Sequence, residues 1–318
     1  GLPLLAILAC SKGDGTFEGI AEKISKKFAI IFTSVLFLSI GPLLAVPRTA
    51  ATTFEVAINP FFPAIPAWLV ILAYFIINIV LVLKRSSIID TIGKFLTPAL
   101  IIILVVLIIK GIFMPIGTIS QNNDTGVFAY SLLEGYQTMD ALAALLFAAI
   151  ITSSIKNKGY KGKEMSKVLF IGSLVAVIGL AFVYGGITYI GAQTSGLVSG
   201  DINKTSLLVL IAKNVLGSAG PILIGVAMAL ACLTTSIGLI TAGADYFETI
   251  TKGKLSYKFN VLAISIVSFA VALLGVDNIV VFSSPILNLL YPVSITIIVF
   301  ALLHKHIKIK AGRLGVYT

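Results

Sequence analysis

Ala231-Cys232-Leu233-Thr234-Thr235-Ser236 sets three hydroxyls in a row inside an otherwise apolar stretch. Hydroxyl and carbonyl oxygens are hard ligands of the kind that suit a small alkali cation. In a helix the same hydroxyls can bond a carbonyl one turn back, which needs no ion, so the residues alone leave both readings open. A second polar island, Glu134-Gly135-Tyr136-Gln137-Thr138-Met139-Asp140, interrupts apolar sequence on both sides. Charges in such surroundings are costly and mark sites of function. Other chemistry is lacking. The histidines, His304 and His306, lie in a basic tail, so no HExxH or His cluster exists for a metal, and no GxxxxGK[ST] phosphate loop occurs. Cys10 and Cys232 sit in apolar stretches without His or Cys neighbours and read as small hydrophobes. No enzyme and no cofactor are expected.

The elements that must position these groups follow from composition. Of 318 residues, 58% are hydrophobic and 11% charged, against roughly 25% charged in a soluble domain. Uncharged runs recur at lengths that cover a bilayer core of about 30 Å. Helices are expected, because a helix satisfies its own N–H and C=O groups in lipid and no strand-like alternation is present. The predicted spans are 27–57, 64–83, 92–114, 126–155, 166–192, 220–247, 258–276 and 283–303, preceded by 2–10, a run too short to span. That first run lacks the basic n-region of a signal peptide and reads as the end of a further helix.

A net charge of +10 raises the question of a nucleic-acid partner, and its distribution answers it. Of the 23 basic residues, only Arg48, Lys110, Lys204 and Lys213 fall in one set of alternate loops. The remainder populate 12–27, 84–94, 156–167, 249–258 and the C-terminus, which the positive-inside rule makes cytoplasmic. The charge therefore reports a multi-pass membrane protein with lipid around it, not nucleic acid.

Three segments depart from plain spans. The 27–57 stretch would be about 45 Å long at ~1.5 Å per residue, so a tilt or a change of conformation near Gly41-Pro42 or Pro47 is expected. The 126–155 stretch is expected to be two helices separated by the polar island, since irregular backbone at membrane depth lines protein or a water-filled cavity. The 206–216 segment is predicted as an amphipathic helix on the outer surface.

Taken together, Gly41-Pro42-Leu43-Leu44-Ala45-Val46-Pro47-Arg48-Thr49-Ala50, Phe54-Glu55-Val56, Asp90-Thr91-Ile92-Gly93-Lys94-Phe95-Leu96-Thr97-Pro98, Gly135-Tyr136-Gln137-Thr138-Met139-Asp140 and Tyr291-Pro292 resemble the bacterial branched-chain amino acid:cation symporters. That family is similar to the amino acid, polyamine and organocation transporters. The resemblance implies an all-α polytopic fold of two inverted five-helix repeats, here one transporter domain over 1–318 running from the end of the second helix through the tenth. The first helix and C-terminal helices would lie outside the chain, which alone would not transport.

The resemblance further implies secondary active uptake of leucine, isoleucine and valine across the bacterial plasma membrane by alternating access. Gly135, Tyr136, Gln137, Thr138, Gly41 and Pro42 are the substrate-binding candidates. Leu233-Thr234-Thr235 matches a leucine-threonine-serine stretch of related sodium carriers, making Thr234, Thr235 and the Ala231 carbonyl candidate sodium ligands. Two alternatives stay open: proton coupling through a carboxylate such as Asp140, and a non-transporting membrane scaffold subunit.

Overall fold

A computed structural model describes residues 1–84, 88–120, 125–197 and 202–303, with only the backbone given for 88–96. The C-terminal basic tail with His304 and His306, Arg85, and the side chains of Asp90, Thr91 and Lys94 lie outside the described residues.

The described residues form helices and contain no strand, as backbone self-satisfaction in lipid requires. In chain order the helices are α1 (Leu2–Ser11), α2 (Phe17–Ala21), α3 (Lys26–Leu38), α4 (Val46–Thr52), α5 (Ala67–Leu83), α6 (Ile88–Phe113), α7 (Val127–Tyr136), α8 (Asp140–Asn157), α9 (Gly162–Gln193), α10 (Lys204–Leu216), α11 (Gly220–Ile250), α12 (Tyr257–Ala272) and α13 (Val276–Leu303). Five continuous stretches are long and apolar enough to cross a membrane: Lys26–Ile58, Val127–Asn157, Gly162–Gly196, Lys204–Ile250 and Val276–Leu303. Shorter apolar helices cover Leu2–Ser11, Ala67–Leu83, Thr97–Phe113 and Tyr257–Ala272. An apolar helix therefore stands at each predicted span, and the fold is that of a multi-pass membrane protein.

Two π-helical stretches, Ser39–Ala45 around Pro42 and Thr53–Ile58, flank α4. Proline removes a backbone donor and clashes with the preceding turn, so the helix widens rather than ends. This is the change of conformation expected at Gly41-Pro42, and it leaves Val46, Pro47, Ala50 and Ala51 buried along α4.

The chain divides into two units. The first comprises residues 1–40, 126–180 and 282–318. Here α1 packs on α8, with Ala6 and Ala9 of α1 and Ala141, Leu142 and Leu145 of α8 all buried. The basic termini of these helices converge: Lys12 Nζ donates to the Leu302 carbonyl at 3.0 Å and Lys156 Nζ to the Asp14 carbonyl at 3.4 Å. Between them, Asp14 accepts the Thr16 N–H and hydroxyl at 2.8 and 2.7 Å, and Thr16 in turn caps α2 by accepting the Gly19 N–H. Gly15, at φ +100°, makes the turn that brings this loop against Thr152, where a β-carbon would overlap the threonine side chain.

The second unit comprises residues 41–125 and 181–281. α11 runs through it and packs on α4, α5, α6, α10, α12 and the 53–58 turn. Its core holds Val56, Leu107, Ile108, Ile190, Ile211, Ala212, Val215 and Ile224. Ile211, Ala212 and Val215 come from α10. Its apolar face is an integral part of the core, and its start is capped by the Asn203 side chain accepting the Ser206 N–H at 2.7 Å. Gln193, almost fully buried, closes the end of α6: its amide donates to the Gly111 carbonyl at 3.1 Å and its oxygen accepts the Ile116 N–H at 3.0 Å.

In the 12–27 loop, burial chiefly, with the charges of Glu22 and Asp14 second, holds the Glu18 carboxyl above the usual carboxylate range. The folded state thus favours protonated Glu18, and ionisation costs stability once pH rises above the raised value. Glu18→Gln is expected to raise the thermal midpoint in detergent at pH 7 and to lose that gain as pH falls to about 4, where the unfolded carboxyl protonates too. A midpoint difference that does not depend on pH would contradict the linkage.

Candidate functional site

The island at 134–140 breaks a helix. α7 ends at Tyr136, Met139 takes a left-handed conformation at φ 58°, and α8 starts at Asp140. The last turn tightens to three-residue spacing, with Gln137, Thr138 and Met139 N–H groups donating to Glu134, Gly135 and Tyr136 carbonyls. A residue with a β-carbon in that region carries strain of order 1–3 kcal/mol, and such strain collects at functional sites. The interruption lies within a 31-residue apolar segment.

α13 holds this break inside the first unit. The Tyr136 and Tyr291 rings stack with centroids 4.1 Å apart and planes 6° from parallel. The Ser283 hydroxyl donates to the buried Gln137 side-chain oxygen at 2.7 Å. Gly135 and Thr138 themselves remain exposed, and nothing lies within 4 Å of where a Gly135 β-carbon would project. The arrangement therefore pairs a fixed, buried side chain at Gln137 with exposed residues at Gly135 and Thr138, where the Gly135 carbonyl accepts the Thr138 hydroxyl at 2.9 Å and N–H at 3.3 Å. Ser283 carried no sequence signal beyond being polar in an apolar span, and Tyr291 entered only through a motif.

The hydroxyl row lies in the second unit. Thr234 and Thr235 both donate to the Ala231 carbonyl, each at 2.9 Å. Three oxygens thus lie together within one turn of α11, the Ala231 carbonyl accepting both hydroxyls. They border a cavity of about 230 Å³ walled by Thr97, Leu100, Ile103, Leu230, Thr234 and Thr235. Hard, neutral oxygens beside a partly open pocket are of the type that suits a small alkali cation, and the set is short of a full shell. Ser236 turns away and is fully buried. Among the described residues, no group of three His, Cys, Asp or Glu side chains is placed to hold a metal.

Gly41 and Pro42 also belong to the second unit, in the first π-helical stretch. Both are buried, and the Pro42 carbonyl accepts the Ser268 hydroxyl at 3.4 Å. The site residues are thus split, with Gly135, Tyr136, Gln137, Thr138 and Asp140 in one unit and Gly41, Pro42, Ala231, Thr234 and Thr235 in the other.

Comparison with known proteins bears on this geometry. Residues 1–316 match the family described as branched-chain amino acid transport protein. The chain belongs to that family. It is 36% identical over 317 residues to the branched-chain amino acid permease BraB of Bacillus subtilis, covering 97% of this chain and 71% of that protein. It is 37% identical over 329 residues to a protein of Staphylococcus aureus named as a branched-chain amino acid carrier, covering 98% of this chain and 73% of that one. This branched-chain amino acid transport protein is accordingly a transporter and not an enzyme.

Because the Tyr136–Tyr291 stack fixes the broken helix to α13, the two rings should be energetically coupled. Tyr136→Ala, Tyr291→Ala and the double variant, compared by unfolding in detergent, are expected to give a coupling of about 0.5–1.5 kcal/mol. Strictly additive losses would show that the stack holds nothing.

Proposed function

We propose that this protein takes up leucine, isoleucine and valine by sodium-coupled symport, working by alternating access in an inverted five-helix-repeat fold. The observation that carries the reading is the break at 137–139 inside an apolar segment otherwise long enough to span. A discontinuous helix at membrane depth supplies backbone dipoles where no water is available, and secondary transporters use that arrangement for substrate. In this reading the carbonyls near Gly135–Thr138 receive the substrate ammonium, and Gly41 and Pro42 remain the other substrate-binding candidates. Apolar side chains receive the branched chain. The relatives' names point to the same substrates. A scaffold subunit would gain nothing from a strained break or from polar side chains beside it.

Sodium is the co-substrate in this reading, bound by Thr234, Thr235 and the Ala231 carbonyl. Support comes from the convergence of those three oxygens at the edge of a cavity. Proton coupling is the second reading, with Asp140, at the start of α8 directly after the break, as the candidate carboxylate. We further infer that loops 12–27, 84–94, 156–167 and 249–258 and the C-terminus face the cytoplasm of a bacterium, on the strength of their lysines and arginines.

Full-length protein in liposomes is expected to accumulate labelled leucine only under an inward sodium gradient. Thr235→Ala removes one hydroxyl ligand and is expected to raise the sodium concentration for half-maximal uptake by about tenfold, roughly the worth of one coordinating bond. Uptake driven by a pH gradient in sodium-free buffer, unaffected by Thr235→Ala, would transfer the coupling role to a carboxylate.

A further inference from the structure

Glu55 lies in the 53–58 π-helical turn and has no part in the substrate or ion sites above. Its two carboxylate oxygens serve two different elements. Oε2 accepts the Thr205 hydroxyl at 2.7 Å, in the first turn of α10. Oε1 accepts the Val276 N–H at 2.9 Å, the first residue of α13. A carboxylate on the N-terminal N–H of a 28-residue helix gains from the helix dipole as well as from the bond. The chain enters α13 through Gly275 at φ +80°, whose α-carbon faces the same oxygen: a β-carbon there would lie 3.4 Å from Oε1.

Apolar contacts on either side reinforce both links. Next to Glu55, Val56 is fully buried in the cluster that contains Ile211, Ala212 and Val215 of α10. One turn back, Ala51 packs with Val276, Ile279 and Val280 of α13. All these residues belong to the second unit. The three elements that meet here are the end of the 27–57 span, the segment around 206–216 and the connection into the last span. Charge patterning assigns all three to the outer side. α13 then continues without interruption to Ser283 and Tyr291, the residues that hold the broken helix.

We infer that Glu55 is a positioning residue for transport, its single carboxylate fixing the starts of α10 and α13 to the 46–58 segment so that the three move as one body. Alternating access requires rocking of one group of helices against another, and a rigid joint on the outer side transmits that motion to α13. Glutamine can replace the carboxylate in part, because its oxygen accepts from Val276 while its amide donates to the Thr205 hydroxyl. Alanine can do neither.

The inference rests on the transport reading. It is tested by initial leucine uptake per molecule of reconstituted full-length protein for wild type, Glu55→Ala, Glu55→Gln, Thr205→Val and Glu55→Ala/Thr205→Val. Glu55→Ala is expected to lower the maximal rate by about tenfold, the loss of charge-assisted bonds, with KM changed less than about twofold. Glu55→Gln should keep about half the rate, Thr205→Val should lose about threefold, and the double variant should be no slower than Glu55→Ala. Wild-type rates in Glu55→Ala, a Gln variant as slow as Ala, or losses that multiply in the double variant would overturn the joint. If Glu55→Ala fails to reach the membrane, Thr205→Val decides alone, and a wild-type rate there overturns the inference. Wild-type protein that takes up no leucine fails the transport reading instead.

Discussion

Inside a bilayer every backbone N–H and C=O must find a partner in the protein, and the rest of this structure depends on that demand. Straight helices meet it by themselves. The chain departs from straight helices at Ser39–Ala45, at Thr53–Ile58 and at Gln137–Met139, and side chains gather at each. Ser268 reaches the Pro42 carbonyl, Glu55 takes a helix N–H and a hydroxyl beside the second π-helical turn, and Ser283 and Tyr291 support the break before α8. Polar side chains thus serve each irregular stretch of backbone. In the regular helices some hydroxyls bond back within their own helix, as Ser34 does to Ile30 and Thr296 to Pro292.

This constraint explains which parts of the protein were legible from residues alone. Apolar length and the absence of charge located an apolar helix at every predicted span, and Gly41-Pro42 announced the change of conformation in the second. The polar run 134–140 announced the break, which the structure narrows to 137–139. What the residues could not announce is pairing across distance. Nothing near Glu55 in the chain points to Thr205 or Val276, and nothing near Gln137 points to Ser283, because these bonds join segments separated by more than a hundred residues. The partners of the 206–216 helix were hidden for a related reason. Its amphipathic pattern predicts a helix with one apolar face, and only the packed neighbours Val56 and Ile224 show what that face meets.

The hydroxyl row on α11 shows the same limit from the other side. Sequence left Thr234 and Thr235 as either ion ligands or helix back-bonders, and the structure shows the back-bonds, each hydroxyl donating to the Ala231 carbonyl at the edge of a pocket. Coordination of sodium by the same oxygens is the proposal, to be decided by uptake. Around Gln137 the logic is parallel: the side chain is committed to Ser283, which leaves the neighbouring backbone at Gly135 and Thr138 as the exposed polar surface. In both places the protein spends side-chain bonds to aim oxygens.

That exposed backbone can be probed directly. Thr138→Cys in the full-length protein places a thiol at the break, while native Cys10 and Cys232 are buried. Labelling of that thiol by a small polar methanethiosulfonate should be rapid, slowed several-fold by leucine and unaffected by lysine. A thiol that labels at the same rate with and without leucine would contradict the assignment of substrate to the broken helix.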